Sequence, residues 1–348
     1  MIGTLRVYWL LLRPALLIPL AMFAALGAAA AGHPEELSPL LRALLVVAGF
    51  LVAAVAVNDL SDEAVDRINL PDDTRRPLIS GAGTRPQMLA AAVLGAGLAL
   101  GAAAMIGPAC LALVVAGLVL ATVYSLAPFR LAKRGVVAPL LLPLGFVGVP
   151  FGCGLLAAGA PVHGWQLGLL GGLYLGFVGR ILLKDFRDVR GDALLGKRTF
   201  LVRRGRAATC ALSAACWLAG SLALLAVPGL RPDVVVGYLT LTGLALVLLR
   251  RLAGSTAPRS DEALILAIAT VGRGLVLLLL AQFTLTGRMI DGAQSLAVVT
   301  GCTVAIGFVA ISIARHGPRL HHLTVPGERI SSTSRAFTPR KRSFTLPD

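Results

Sequence analysis

The stretch LRALLVVAGFLVAAVAVNDLSDEAVD, residues 41–66, runs from an unbroken apolar segment straight into Asn58, Asp59, Asp62 and Asp66. The first part is close to the ~20 residues needed to cross a bilayer. The second part places aspartates at i, i+3 and i+7, which on a helix share one face within an arc of about 60°. Three carboxylates on one face repel one another, and a hard cation such as Mg²⁺, which takes one or two carboxylates with waters and phosphate oxygens, relieves that repulsion. The same layout recurs further along: the apolar run ending at Leu183 meets Asp185, Asp188 and Asp192 at identical spacing. A basic stretch follows each trio, Arg75, Arg76 and Pro77 after the first and Gly196, Lys197, Arg198 and Thr199 after the second. Span, DxxDxxxD, cations and span form a weak internal repeat, and two such halves suit a magnesium-bound diphosphate.

The rest of the chain has the character of that first segment. Of its 348 residues, 57% are hydrophobic and 14% charged, with mean hydropathy +0.83. Such a bias predicts an all-α, polytopic transmembrane helical bundle of nine or ten spans around a central cavity open to the cytoplasmic side. Ten apolar runs are long enough, at about 9–31, 41–57, 88–106, 109–124, 136–157, 164–183, 207–227, 234–249, 263–284 and 294–314. The first ends in Ala28–Ala31 and resembles a secretory leader, but further spans follow at once, so it is read as a span. Residues 1–316 are expected to form the membrane domain. Residues 317–348, rich in Pro, Ser, Thr and Arg, are expected to form a disordered basic cytoplasmic tail.

The net charge is +15. With the N-terminus in the cytoplasm, most Lys and Arg fall on that side, and the outer connections keep only Arg42, Arg231 and Arg288. This is the positive-inside asymmetry, which accounts for the charge without nucleic acid and puts both aspartate trios and both termini on the cytoplasmic face. Five cysteines, Cys110, Cys153, Cys210, Cys216 and Cys302, lie in apolar runs without metal-ligand spacing and read as small buried hydrophobes. The five histidines form no metal-binding set and read as loop residues. Arg13, Arg180 and Arg273 lie within spans; Arg273 is central, so an internal carboxylate or phosphate partner is expected for it. Arg180 can snorkel, and Arg13 either snorkels or meets a substrate. Glu63 lies off the aspartate face and is expected to be solvated, while Asn58 and Asp59 have helix capping as an alternative role.

Three segments together resemble the UbiA-type membrane prenyltransferases. VNDLSDEAVDRINLPDDTRRPLISG (57–81) is similar to their first signature, NDxxDxxxD with a following Arg-Pro, and KDFRDVRGDALLGKRTF (184–200) to their second. YSLAPFRLAKRG (124–135) is similar to the Tyr-Ser…Lys-Arg loop after the fourth span, in the longer form seen in branches acting on homogentisate or chlorophyll precursors. The resemblance covers about residues 5–285. It departs in the tenth span and in the extra acids Asp72 and Asp73 before Arg76.

The resemblance implies transfer of a polyprenyl group from an allylic diphosphate donor to a hydrophobic acceptor, an aromatic ring by default, within the lipid bilayer. It assigns Asp59, Asp62, Asp66, Asp185, Asp188 and Asp192 to two Mg²⁺ ions, and Asn58, Arg76, Lys133, Arg134 and Lys197 to the diphosphate. Tyr124 would line the cavity where the carbocation forms, and Asp62, Asp188 and Asp192 would act closest to the chemistry. Alternatives are an intramembrane terpene cyclase and transfer to a lipid or sugar-phosphate acceptor. A cation transporter fits less well, since such sites lie near the bilayer midplane and these aspartates sit at span ends.

Overall fold

The computed structural model describes residues 2–32, 37–69, 73–135, 137–186, 199–225, 227–287 and 292–317, all helical or in connecting turns. Helices α1 (Ile2–Leu12) and α2 (Pro14–Ala30) meet at Arg13, where Pro14 takes the first position of α2. There follow α3 (Leu37–Asn69), α4 (Arg85–Ile106), α5 (Pro108–Ser125), α6 (Val137–Ala157) and α7 (Gly164–Leu182). After the second aspartate stretch come α8 (Phe200–Leu225), α9 (Pro232–Gly254), α10 (Pro258–Gly287) and α11 (Gly292–His316). Nine of the described helices are long and apolar enough to cross a membrane, and α2, of 17 residues, is a shorter apolar helix. The protein is an integral, multi-pass membrane protein. All ten apolar runs found in the sequence are helical, and the expected tail lies outside the described residues.

Helix α3 decides where the chemistry sits. Its 33 residues measure about 50 Å, well beyond the ~30 Å hydrocarbon layer, and its last three turns carry Asn58, Asp59, Asp62 and Asp66. The aspartate motif therefore continues the span as one helix, and neither Asn58 nor Asp59 is a cap. Thr84 restarts the chain into α4 through a capping box with Gln87, which satisfies amide hydrogens the first turn would otherwise leave free. A wider π turn, Leu144–Gly148, interrupts α6 between Pro143 and Pro150, neither of which carries an amide hydrogen.

Two buried cores are built side by side. One joins α1 to α5, with Val46, Phe50, Met88 and Val114 at its centre. The other joins α7 to α11, with Leu169, Trp217, Leu241 and Ile268. Helices α2 and α6 supply both: Leu20, Ala24 and Cys153 face the first, and Phe23, Leu26 and Phe151 the second. Glycines bring this shared wall together, because a Cβ on Gly154 would collide with the Ala24 carbonyl and one on Gly27 with that of Phe151. In lipid, small residues at helix contacts provide the van der Waals contact that burial from water provides elsewhere.

The internal repeat has a counterpart in packing. Helix α3 crosses α4 at Gly49 and Gly95, where added Cβ atoms would come within 2.7 and 2.9 Å of the facing backbone. Helix α7 crosses α8 at Gly172 and Gly220 with the same close approach, 2.9 and 2.7 Å. The helix that carries the first aspartate motif and the helix that precedes the second in sequence are thus each locked to the next helix through paired glycines. Contact between α10 and α2 joins the two halves on the far side. Helix α11 packs on α9 and α10 and leaves Val304 and Phe308 exposed on its outer face. Cys302 is exposed there too, whereas Cys110, Cys153 and Cys210 are buried as expected.

Candidate active site

At the end of α3 the carboxylates are not left facing one another. Arg13 reaches across from the α1–α2 junction, and its Nη2 donates to both oxygens of Asp59 at 2.7 and 2.6 Å. Arg76, in the turn after α3, contacts Asp66 and lies 3.5 Å from Asp59 Oδ1, spanning the one-face pair at i and i+7. Arg130, from the loop after α5, donates to Asp62 Oδ1 at 3.2 Å and to the Ser61 carbonyl at 2.7 Å. Asn58 donates to the other oxygen of Asp62 at 3.0 Å. Asp59 and Asp66 are buried, and Asp62 is 27% exposed. Burial is the largest influence on Arg76 and pushes its guanidinium below the usual arginine value, partly offset by the charge of Asp59. The extra acids Asp72 and Asp73 do not displace Arg76 from the motif.

Arg13 and Arg130 share a backbone feature. Among the described residues they are the two non-glycine positions with left-handed φ, 39° and 38°. That conformation costs about 1 to 3 kcal/mol and is kept where surrounding structure demands it. Here both strained residues aim a guanidinium at the first motif. The sequence placed Arg13 in a span with no such partner and gave Arg130 no role. The signals were Pro14 after Arg13 and the position of Arg130 inside the tyrosine loop.

Neighbouring polar groups fix α3 in register. Ser61 Oγ donates to the Ser125 carbonyl at 2.5 Å, tying the motif to the end of α5 beside Tyr124. Glu63 is buried, not solvated: it accepts from Arg67 at 2.7 Å and from Arg85 of α4 at 2.6 Å. It is the outer fastening of the α3–α4 pair, and off the aspartate face as its spacing indicates.

The second motif begins at Asp185. Asp188, Asp192 and Lys197 lie outside the described residues. Tyr124 lies in the last turn of α5, next to the Ser125 whose carbonyl Ser61 bonds. The flanks of the second motif are anchored. Phe186 lies under the guanidinium of Arg206, 4.9 Å from its ring centre, while Arg206 donates to both oxygens of Asp261 at 2.8 and 2.7 Å and to the Leu252 carbonyl at 2.8 Å. Gly205, at φ 78°, kinks α8 near its start, a conformation that favours glycine. Thr199 accepts a hydrogen bond from the Val202 amide at 3.3 Å. Lys133 ends the short turn Leu131–Lys133 after α5, and its side chain lies outside the described residues. Arg134 is exposed and donates to the Phe129 carbonyl at 3.2 Å, within its own loop.

The donor set can be tested for a metal. Among the described residues no three His, Cys, Asp or Glu side chains are gathered closely enough to hold an ion, because arginines stand between the carboxylates. The chemistry nonetheless suits Mg²⁺: the donors are hard carboxylate oxygens with no imidazole or thiolate among them. Arg130 Nε is buried and has no acceptor in the protein, an unspent donor at the same place that an anionic oxygen would satisfy.

The sequence profile described as the UbiA prenyltransferase family matches residues 17–271. The chain belongs to the UbiA prenyltransferase family. Similar members include the bacteriochlorophyll synthase 33 kDa chain of Cereibacter sphaeroides, 35% identical over 49% of this chain and 57% of that protein. Digeranylgeranylglyceryl phosphate synthase of Methanopyrus kandleri is 32% identical over 70% of this chain and 87% of its own length. The chain spans little more than half the length of several curated synthases it matches, and in Methanopyrus nearly the whole. Among solved UbiA-family folds, a digeranylgeranylglyceryl phosphate synthase superposes with TM-score 0.61 at 18% identity, covering 80% of this chain and 98% of that one. A UbiA homologue from Archaeoglobus fulgidus, solved with GPP and Mg²⁺, superposes with TM-score 0.52 at 17% identity, covering 88% and 99%.

Proposed function

We propose that this UbiA-family protein transfers a polyprenyl group from an allylic diphosphate to a lipophilic acceptor at the cytoplasmic face of the membrane. The observation that carries this proposal is the carboxylate face of Asp59, Asp62 and Asp66 at the end of α3, met by Arg13, Arg76 and Arg130, in a chain that belongs to the UbiA family. Mg²⁺ would be held by Asp59, Asp62 and Asp66 on one side and by Asp185, Asp188 and Asp192 on the other, where it supplies Lewis-acid neutralisation of the diphosphate.

The chain's own residues have separable tasks. Arg76 and Arg130, joined by Asn58 and by Lys133, Arg134 and Lys197 from the neighbouring loops, would receive the diphosphate oxygens as the allylic C–O bond breaks and the leaving group keeps the electron pair. Stabilising charge where it develops is the largest lever available to such a site. The apolar walls of α2, α5 and α7 keep water from the allylic cation, and Tyr124 lines the space where it forms. The acceptor's π electrons or oxygen lone pair closes the new bond, and its proton passes to a carboxylate of the second motif. Arg13 balances Asp59 and holds it in place.

The test uses purified protein, Mg²⁺, geranylgeranyl diphosphate, and either a phenolic acid or a glycerol phosphate lipid as acceptor. Diphosphate release together with the mass of one prenyl unit added to one acceptor is expected, with loss of both on chelation. A hydrocarbon formed without any acceptor would overturn transfer in favour of cyclisation.

A further inference from the structure

Arg273 stands at the midpoint of the 27-residue span Ser260–Thr286. About 20 Å of helix separates it from either end, farther than an arginine side chain extends. The expected internal partner is not found: among the described residues Arg273 donates to no acceptor and faces no carboxylate. An arginine at the centre of a spanning helix is costly to insert, and such residues persist where something pairs them.

Beside it lies a cleft bordered by α2, α7, α8, α9 and α10. Its walls are mainly apolar, with Phe23, Phe177, Trp217 and Tyr238 prominent, and none of the lining residues is acidic. Trp217 is 4% exposed, and its Nε1 is buried without an acceptor. The indole ring is held by two glycines of neighbouring helices: a Cβ on Gly179 would come within 2.7 Å of Trp217 Cδ1, and one on Gly272 within 3.1 Å of Cη2. The other polar groups are committed. Ser221 is paired with Thr242 at 3.1 Å, and the Arg180 guanidinium rests over Phe177, 5.3 Å from the ring centre.

We propose that this cleft binds a lipophilic monoanion, an apolar molecule bearing one carboxylate, whose oxygens are held by Arg273 and the Trp217 indole N–H. Charge decides the class. A diphosphate would carry several negative charges against one unpaired guanidinium in a low-dielectric cleft, and a neutral prenyl chain would leave that guanidinium uncompensated. A single carboxylate balances it and has an oxygen to spare for the indole, in a charge-assisted hydrogen bond. Assigning this ligand as the acceptor rests on the transferase proposal above; the binding site does not.

The test uses the full chain in phosphatidylcholine nanodiscs at alkaline pH, with Trp9→Phe and Trp165→Phe so that Trp217 is the sole indole. Dibromostearate, its methyl ester and a brominated phosphatidic acid are compared as quenchers of Trp217 fluorescence. The carboxylate is expected to quench at a concentration about ten-fold lower than the ester. Arg273→Leu should abolish that preference, and Arg273→Lys should retain part of it. Equal quenching by acid and ester on the chain that keeps Arg273, a result independent of whether any variant folds, would overturn the proposal, as would a preference that survives Arg273→Leu. Quenching by phosphatidic acid at the concentration of the free acid would overturn the carboxylate assignment in favour of a bilayer phosphate. Diphosphate release in the same preparation is scored separately. Its absence with the preference intact removes the transferase proposal alone, and the reverse removes only this site.

Discussion

At the end of α3, arginines from three distant segments each meet a carboxylate: Arg13 and Arg76 on Asp59, Arg76 on Asp66, and Arg130 on Asp62. In the cleft beside α10, Arg273 meets none among the described residues. Both regions gather cations next to apolar walls, yet in one the protein completes its own charge balance and in the other the balance is left to a ligand. The first region is therefore poised to exchange partners, since carboxylates and arginines that neutralise each other can separate onto a metal and a diphosphate. The second can only gain a partner.

That contrast predicts opposite signs for one kind of substitution. Arg76→Met removes the cation shared by two buried carboxylates and should lower stability by about 3 to 5 kcal/mol, read as a fall in thermal midpoint in detergent. Arg273→Leu removes an unpaired charge from an apolar span and should leave the midpoint unchanged or raise it. If both variants fell alike, the distinction between the two regions would be lost. Next in size is Arg206→Leu, which strips Asp261 and the Leu252 carbonyl of their donor. With Arg206 35% exposed, solvent screening limits the expected loss to about 1 to 3 kcal/mol, and diphosphate release should slow as Phe186 loses the guanidinium over its ring. Smallest is Thr84→Ala, which removes the capping box of α4 at a cost of about 1 kcal/mol. That change leaves the aspartates and their arginine partners in place and should leave turnover intact once folded protein is normalised.

Much of this was legible in the sequence, and the remainder was hidden for identifiable reasons. Hydropathy located the nine long apolar helices and the shorter α2 because each is a local, contiguous signal. The spacing of Asp59, Asp62 and Asp66 foretold a helical face because the period of a helix is also local. The partners of those aspartates were not legible. Arg13 is 46 residues from Asp59 and Arg130 is 68 from Asp62, and left-handed backbones at arginine leave no compositional trace. Glu63 read as solvated because Arg85 approaches it from the next helix. Arg273 was visible as a charge within a span, but only packing could reveal that the groups around it are apolar or already committed.

The central claim is that the motif at the end of α3 and the motif that begins at Asp185 serve one bound diphosphate. Diphosphate release from geranylgeranyl diphosphate with Mg²⁺, measured for Asp62→Ala, Asp188→Ala and the double variant, tests it most directly. Each single variant should lose at least ~100-fold in rate, and the double should lose little more than the slower single, because residues acting as one unit are not additive. Unchanged turnover in either single variant, or losses that simply multiply in the double, would contradict it.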